Sequence, residues 1–230
     1  MSRVLPAYQS IAGGHGYGSL VLGLNPTTYW PAMRREVVGG YDATWNGATA
    51  QGAGFLTRDS APAVDLDRSA ATYVTTSYPW VNQRDWSVMG WVREDTYSAN
   101  SSIAFGTAGN LWMLYAHNTV ANGWIYYDGA GAGFGLYGQA EIHGHDWFVC
   151  LVHNNTAHTL VLYAAADRGA LTSVGQSRTV SAAVDGNFTM GGRFTGLGLW
   201  DGRIGPVATF SRVLTLTEIT ALYYGGLHGS

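Results

Sequence analysis

The sequence predicts an all-β fold: a two-layer antiparallel β-sandwich with one short C-terminal helix. Three observations carry this. Charged residues make up 12% of the chain, aromatics 13%, and there are 32 Gly, against roughly 25% charged residues in an average domain. Short runs rich in β-branched and aromatic residues recur along the chain, separated by Gly, Asn and Asp turn signals. One well-marked helix start follows the last of these runs.

At 230 residues, one domain is the default reading. A chain of that length buries about 70–75% of its unfolded surface, enough for a core that needs no staples. The net charge of −3 makes no case for nucleic acid or an anionic membrane as partner. All 12 basic residues are Arg, which reads as codon usage rather than function. The one cysteine, Cys150, excludes an internal disulfide and sits in the apolar run Trp147-Phe148-Val149-Cys150-Leu151-Val152, so it is expected to be a buried core thiol rather than a nucleophile. No signal peptide and no membrane span are expected from the pattern, since Leu20-Val21-Leu22-Gly23-Leu24 is too short. The sequons at Asn154 and Asn187 carry no weight without secretion.

Taken in order, residues 1–23 read as an arm outside the sandwich. Gly13-Gly14-His15-Gly16-Tyr17-Gly18 is flexible and lacks the Lys-Ser/Thr ending of a phosphate loop. The domain, residues 24–230, begins at Leu24-Asn25-Pro26-Thr27-Thr28-Tyr29-Trp30-Pro31. Alternation from Thr72 to Thr76 predicts a half-buried strand. In Asp85–Arg93, Trp86, Val88 and Val92 face one way and Met89 and Trp91 the other; with bulk on both faces, this is expected to be a central strand. Short strands are expected at Ser102–Phe105, Leu111–Ala116 and Gly123–Asp128, then at His145–His153, Thr159–Ala164 and Phe188–Arg193. Asp201-Gly202 marks a turn, and Ile204, Val207, Thr209 and Phe210 mark a strand. Thr215 and Glu218 form a capping box, with Leu214 and Ile219 placed for a hydrophobic staple. Leu216, Ile219, Leu222 and Tyr223 share a helix face, and Gly225 is the expected stop. A helix this short is marginal alone and has to lie on the β scaffold.

The stretch Asp201–Tyr223 resembles the C-terminal signature of the laminin-G-like, concanavalin A-like family, departing from it at Gly205-Pro206, where the family carries acidic residues. Tyr29-Trp30-Pro31, Asp42–Ala48, Ala63–Thr76, Asp85–Arg93, His145–His153, Thr159–Ala164 and Phe188–Arg193 resemble further family segments in the family's order, over about residues 24–226. The resemblance implies a jelly-roll sandwich. Relatives of this kind occur in bacteriophage tail and head proteins. The resemblance therefore implies a non-enzymatic structural or adhesion protein of a virion, made in the host cytoplasm. Its partners would be other virion proteins, with host cell-surface glycans as ligands and a homo-oligomeric state in the particle. The alternative is a glycan-binding lectin module of a cellular protein. A glycosidase is the third reading.

Residues that could carry chemistry are few. A related glucanase branch uses a closely spaced glutamate pair, but Glu36, Glu94, Glu141 and Glu218 do not have that spacing. Asp65 and Asp67 are two apart, and turn and edge chemistry is the plainer account of them. No G-x-S-x-G elbow is present. His143-Gly144-His145-Asp146 offers too few ligands for a metal and reads as a polar loop entering the Trp147 strand. Calcium is the ion the family would hold, with Asp128, Asp185, Asn187 and Asp201 as oxygen donors. The loss of acids at Gly205-Pro206 weakens that site, so no metal and no cofactor are assigned. Trp112, Tyr115, Trp124, Tyr126, Tyr127 and Trp200 are the candidate ligand-stacking residues, with core packing as the competing account. Val4, Leu5, Tyr8, Ile11 and Tyr17, with Leu20 and Leu22, are apolar anchors by which the arm docks on another chain. The alternative is that the arm adds a strand to its own sheet edge.

Overall fold

The computed structural model describes residues 16–31, 36–47, 50–56, 62–81, 83–96, 102–107, 113–117, 123–127, 133–138, 142–177, 186–192 and 198–228. The elements in chain order begin with α1 (Tyr17–Gly23), β1 (Thr28–Trp30), β2 (Ala43–Asn46), β3 (Ala50–Gly52), β4 (Ala63–Leu66), β5 (Tyr73–Trp80) and β6 (Trp86–Glu94). They continue with β7 (Ser102–Thr107), β8 (Met113–His117), β9 (Gly123–Tyr127), β10 (Gly133–Gly138), β11 (Trp147–Asn154) and β12 (Thr159–Ala166). The last are β13 (Thr172–Ser177), β14 (Gly186–Met190), β15 (Gly202–Phe210) and α2 (Leu216–His228). They form an antiparallel sandwich. One sheet has eight strands in the order β13-β12-β11-β6-β15-β4-β3, with β1 also on β15; the other has seven, in the order β10-β9-β8-β7-β14-β5-β2.

Alternation assigns each strand's two faces, and the structure follows it. Trp86, Val88 and Val92 of β6, and Trp147, Val149 and Leu151 of β11, point into the core between the sheets. Met89 and Trp91, with Phe148, Cys150 and Val152, point into a second core on the outer side of the eight-stranded sheet. That second core is closed by Tyr17 and Val21 of α1 and by Ile219, Leu222, Tyr223 and Leu227 of α2. Cys150 is fully buried there, and burial pushes its thiol far above the usual range, so it is not a nucleophile.

Strand β15 explains the departure at Gly205-Pro206. On one side it pairs with β6, opposing Ile204 to Val92 and Val207 to Gly90, so Gly205-Pro206 faces Trp91 alone as a bulge. On the other side Gly202–Ile204 pairs with β4, and Val207–Thr209 pairs with β1. Pro206, which has no N–H to donate, thus falls in the gap where the strand changes partner, the setting a central-strand proline needs.

The helix start is as expected. Thr215 N–H donates to Glu218 Oε2 at 2.8 Å, and Glu218 N–H donates to Thr215 Oγ1 at 3.3 Å. Glu218 also pairs with Arg212 at 2.7 Å, and that guanidinium first, with the Thr215 donors, pulls its carboxyl from an ordinary 4.5 down to about 2. The helix end differs from expectation: α2 runs through Gly225 and Gly226 to His228. These glycines serve packing. A Cβ at Gly225 would lie 2.4 Å from Leu20 Cδ2, and one at Gly226 would lie 2.5 Å from Trp91 Cζ2.

The arm is also partly corrected. Tyr17–Gly23 forms α1, a helix with no side-chain cap, packed beside α2. Tyr17, a candidate docking residue, is 2% exposed, and its hydroxyl accepts from Trp91 Nε1 at 3.1 Å. Leu20 and Leu22 pack against the same core. An indole N–H and an apolar pocket of its own fold therefore hold Tyr17, which leaves it no free surface for a second chain. The segment folds back as a helix on the outer layer, not as the edge strand the alternative anticipated. Val4, Leu5, Tyr8 and Ile11 lie outside the described residues.

Candidate functional site

The two outer faces of the sandwich differ. Helices seal the eight-stranded sheet. The seven-stranded sheet carries an outer cleft of about 410 Å³, lined by Asp42, Thr44, Thr75, Thr76, Ser77, Asn187 and Thr189.

The cleft arises from register. Thr44 of β2 is opposite Thr75 of β5, and Thr75 is opposite Thr189 of β14. Their neighbours in sequence fix the face: Ala43, Trp45, Val74, Phe188 and Met190 belong to the inner core, so the three threonines form a row on the outside. The row descends. Thr44 is exposed, Thr75 half-buried and Thr189 fully buried. Beyond it, across from Thr189, β7 presents Gly106, which has no side chain.

A bulge shapes the rim. Between the pairs Asn187↔Pro79 and Thr189↔Thr75, the three residues Thr76, Ser77 and Tyr78 oppose Phe188 alone. Thr76 Oγ1 donates to the Phe188 carbonyl at 2.9 Å and accepts the Tyr78 N–H at 3.2 Å. The extra residues set Ser77 outward and exposed. Such bulges bend a strand and re-aim its side chains. Thr75 Oγ1 accepts from Asn46 Nδ2 at 3.2 Å, and among the described residues Asp42 Oδ1 accepts one long 3.4 Å contact from Glu36 N–H. The Thr189 hydroxyl is buried and has no hydrogen-bond partner among the described residues, a state that calls for an explanation in a folded protein.

The aromatic candidates lie elsewhere. Trp124, Tyr126 and Trp200 are fully buried between the sheets. Trp124 stacks on Trp200 with centroids 6.2 Å apart and planes 15° apart, and meets Trp147 edge-on. The inward phase of β9 takes Trp124 and Tyr126, which leaves them no face for a sugar; Tyr127, on the outward phase, is half-buried at the sheet surface. Tyr115 sits on β8, paired with Ile103 and Ile125. Trp112 lies outside the described residues.

The carboxylates at the end of the sandwich hold structure together. Glu94, its side chain 1% exposed, lies 3.2 Å from Arg68 Nη2 and 3.1 Å from His143 Nδ1. Asp146 accepts from Arg93 and Arg203, and Asp167 pairs with His145. Asp67 accepts from Ser69 Oγ, Ser69 N–H and Ala70 N–H; the Ser69 hydroxyl first, then these amides, holds its carboxyl below the usual range. Asp65 sits exposed on β4, paired in register with Arg203. Glu36 is buried with its carboxylate accepting N–H groups of Tyr29, Val38, Gly40 and Tyr41. Of the calcium candidates, Asp201 accepts from Thr96 Oγ1 and Arg68 N–H, Asn187 lines the cleft, and Asp128 and Asp185 lie outside the described residues. Among the described residues, no group of three or more His, Cys, Asp or Glu is placed to hold a metal ion.

No protein-family description matches this chain, and no curated protein matches it in sequence. Solved structures do. Domain 4 of AbnA, a GH43 extracellular arabinanase from Geobacillus stearothermophilus in complex with arabinotriose, is 13% identical, with TM-score 0.65, over 86% of this chain and 98% of that one. The receptor binding domain of botulinum neurotoxin mosaic serotype C/D is 14% identical, with TM-score 0.61, over 87% of this chain and 50% of that one. Trypanosoma rangeli sialidase in complex with the inhibitor DANA is 15% identical, with TM-score 0.56, over 85% of this chain and 30% of that one. The chain thus spans half of the neurotoxin domain, under a third of the sialidase and nearly all of the arabinanase domain. At these identities the likeness is one of fold, and it places this chain among β-sandwich domains of the kind these proteins carry.

Proposed function

We propose that this chain is a carbohydrate-binding, lectin-like module that recognises rather than cleaves, and that it binds through the open face of the seven-stranded sheet. The observation that carries this is the row Thr44–Thr75–Thr189, which descends into a cleft lined by hydroxyl, amide and carboxyl side chains and ends on a buried hydroxyl without a partner among the described residues. A ligand rich in hydroxyls satisfies such a row, since each hydroxyl both donates and accepts. The neighbours' subjects support the same class: one was solved with arabinotriose and another is a sialidase with its inhibitor. The binding-only reading rests on the described glutamates, each of which is held in a structural role: Glu36 by backbone N–H groups, Glu94 by Arg68 and His143, Glu218 by the helix cap.

The test is a screen of the purified protein against immobilised glycans, with a reducing-end assay on the hits. Binding that is lost on Asn187→Ala, without release of reducing ends, is the expected result. Turnover that disappears on replacing Asp65 or Asp67 would overturn the binding-only reading.

The setting we propose is a virus particle, on the sequence resemblance and the apolar content of the arm. With Tyr17, Leu20 and Leu22 engaged in the chain's own fold, any docking falls to residues 1–15. Deleting residues 2–15 is expected to leave the domain folded and absent from purified particles. Normal incorporation of the deleted protein would remove the arm from that role.

A further inference from the structure

We infer that the cleft selects a neutral sugar bearing adjacent free hydroxyls and rejects acidic sugars, an inference that rests on the carbohydrate-binding reading and names its ligand class. The lining holds one charge, the exposed carboxylate of Asp42. An anionic sugar would bring its carboxylate to Asp42, and no Arg or His among the described residues that line the cleft offsets the repulsion. A neutral ring with two adjacent hydroxyls meets the opposite situation. An ionised carboxylate is acceptor-only, with two oxygens open to paired O–H donors. Among the described residues Asp42 uses one long contact, which leaves the rest of that capacity to a ligand.

The floor adds the second requirement. Thr189 Oγ1 is buried without a partner among the described residues, and Thr189 is opposite Thr75 in the register. Its neighbours Phe188 and Met190 point into the core, so the Thr189 side chain is on the cleft side of β14. A ligand hydroxyl that enters the threonine row and displaces the groups covering this atom supplies the missing bond. Asn187 and Ser77 stand at the rim, offering an amide and a hydroxyl to the same ring. No aromatic ring lines the cleft among the described residues, so recognition is by hydrogen bonds rather than stacking. Discrimination by such groups is strong, because a ligand that lacks a matching hydroxyl leaves a buried polar group unpaired.

The experiment is a titration of the full chain with pairs of oligosaccharides that share ring stereochemistry and differ by a carboxylate on each ring, galactotriose against trigalacturonate for example, drawn from the hits of a broad array. Three variants accompany it. Thr189→Val keeps the side-chain shape and removes the unpaired hydroxyl. It is expected to raise the unfolding midpoint while weakening neutral-sugar binding about tenfold, the loss of one good hydrogen bond. Asp42→Asn is expected to narrow the gap between the neutral and acidic partner of each pair, and Asp42→Ala to weaken the neutral one. Preference for the acidic partners would overturn this inference and leave the carbohydrate-binding reading standing. Neutral-sugar affinity unchanged in both Thr189→Val and Asp42→Ala would move the ligand off this cleft. An array with no hits would overturn the binding reading itself, and this inference with it.

Discussion

Replacing Trp200 by alanine is expected to lower the stability of the fold by about 3–5 kcal/mol, the usual cost of emptying a large aromatic site in a packed core. Trp200 is fully buried, its ring lies against Trp124, and its Nε1 donates to the Arg93 carbonyl at 2.8 Å. Alanine removes the ring and the donor together. The space left is bounded by Trp124, which also meets Trp147 edge-on, so closing over it would take these rings out of their own packing. For a chain of this length the loss corresponds to a fall in Tm of about 10 °C. Trp200→Phe keeps the apolar bulk and gives up the bond to Arg93, for an expected cost of about 1–3 kcal/mol, mostly that of an unpaired carbonyl. Denaturant midpoints check both values. The pair also separates the two accounts of this residue. If Trp200 stacked on a sugar, Trp200→Ala would keep the parental midpoint and lose glycan binding; as a core residue it loses stability, and Trp200→Phe binds sugar as the parent does.

Why the sequence points to the wrong aromatics is a matter of phase. Alternation shows that about half of a strand's residues face inward, but on a run such as Gly123-Trp124-Ile125-Tyr126-Tyr127 it does not say which half, because large side chains occupy both phases. On β6 and β11 the same ambiguity is harmless: both faces are apolar, and that itself shows that a further layer covers the eight-stranded sheet. The missed elements are those without a local signal. β13 is an edge strand with exposed and half-buried residues throughout, β10 has glycine at Gly133, Gly135 and Gly138, and β3 is three residues long. α1 has neither cap nor charge pattern, so its helicity depends on packing against the sheet and α2, which only the tertiary fold supplies. The cleft is less legible still. Thr44, Thr75 and Thr189 come from strands far apart in the chain, and their meeting is a product of register. The nearest sequence signal is the alternation in Thr72–Thr76, which marks a half-buried strand without saying which of its threonines faces outward.

Replacing Gly202 by alanine is expected to cost about 4 kcal/mol, from two effects that a second variant separates. The first is backbone strain. Gly202 has φ of +138°, a region that residues with a Cβ rarely enter. The second is collision with main chain. A Cβ at this position would lie 2.2 Å from the Arg93 carbonyl oxygen, 2.8 Å from the Asp95 nitrogen and 3.1 Å from the Glu94 Cα. None of these atoms is the end of a flexible side chain, so β15 and the end of β6 would have to part. That seam is where Gly202 pairs with Glu94 on one side and Leu66 on the other, where Asp95 N–H donates to the Asp201 carbonyl at 2.7 Å, and where Trp200 Nε1 reaches the Arg93 carbonyl. Moving it would also disturb the buried Glu94 carboxylate between Arg68 and His143. Gly40 isolates the first effect. Its φ is +79°, yet a Cβ there would have nothing within 4 Å, and alanine keeps the N–H that Gly40 donates to Glu36. Gly40→Ala is therefore expected to cost only the left-handed strain, about 1–2 kcal/mol, and Gly202→Ala that strain with the displacement of packed backbone added. Equilibrium unfolding of the two variants side by side checks the difference. Equal costs at the two positions would mean that β15 and β6 part freely at Gly202, and that the Asp201-Gly202 corner does not lock the two central strands together.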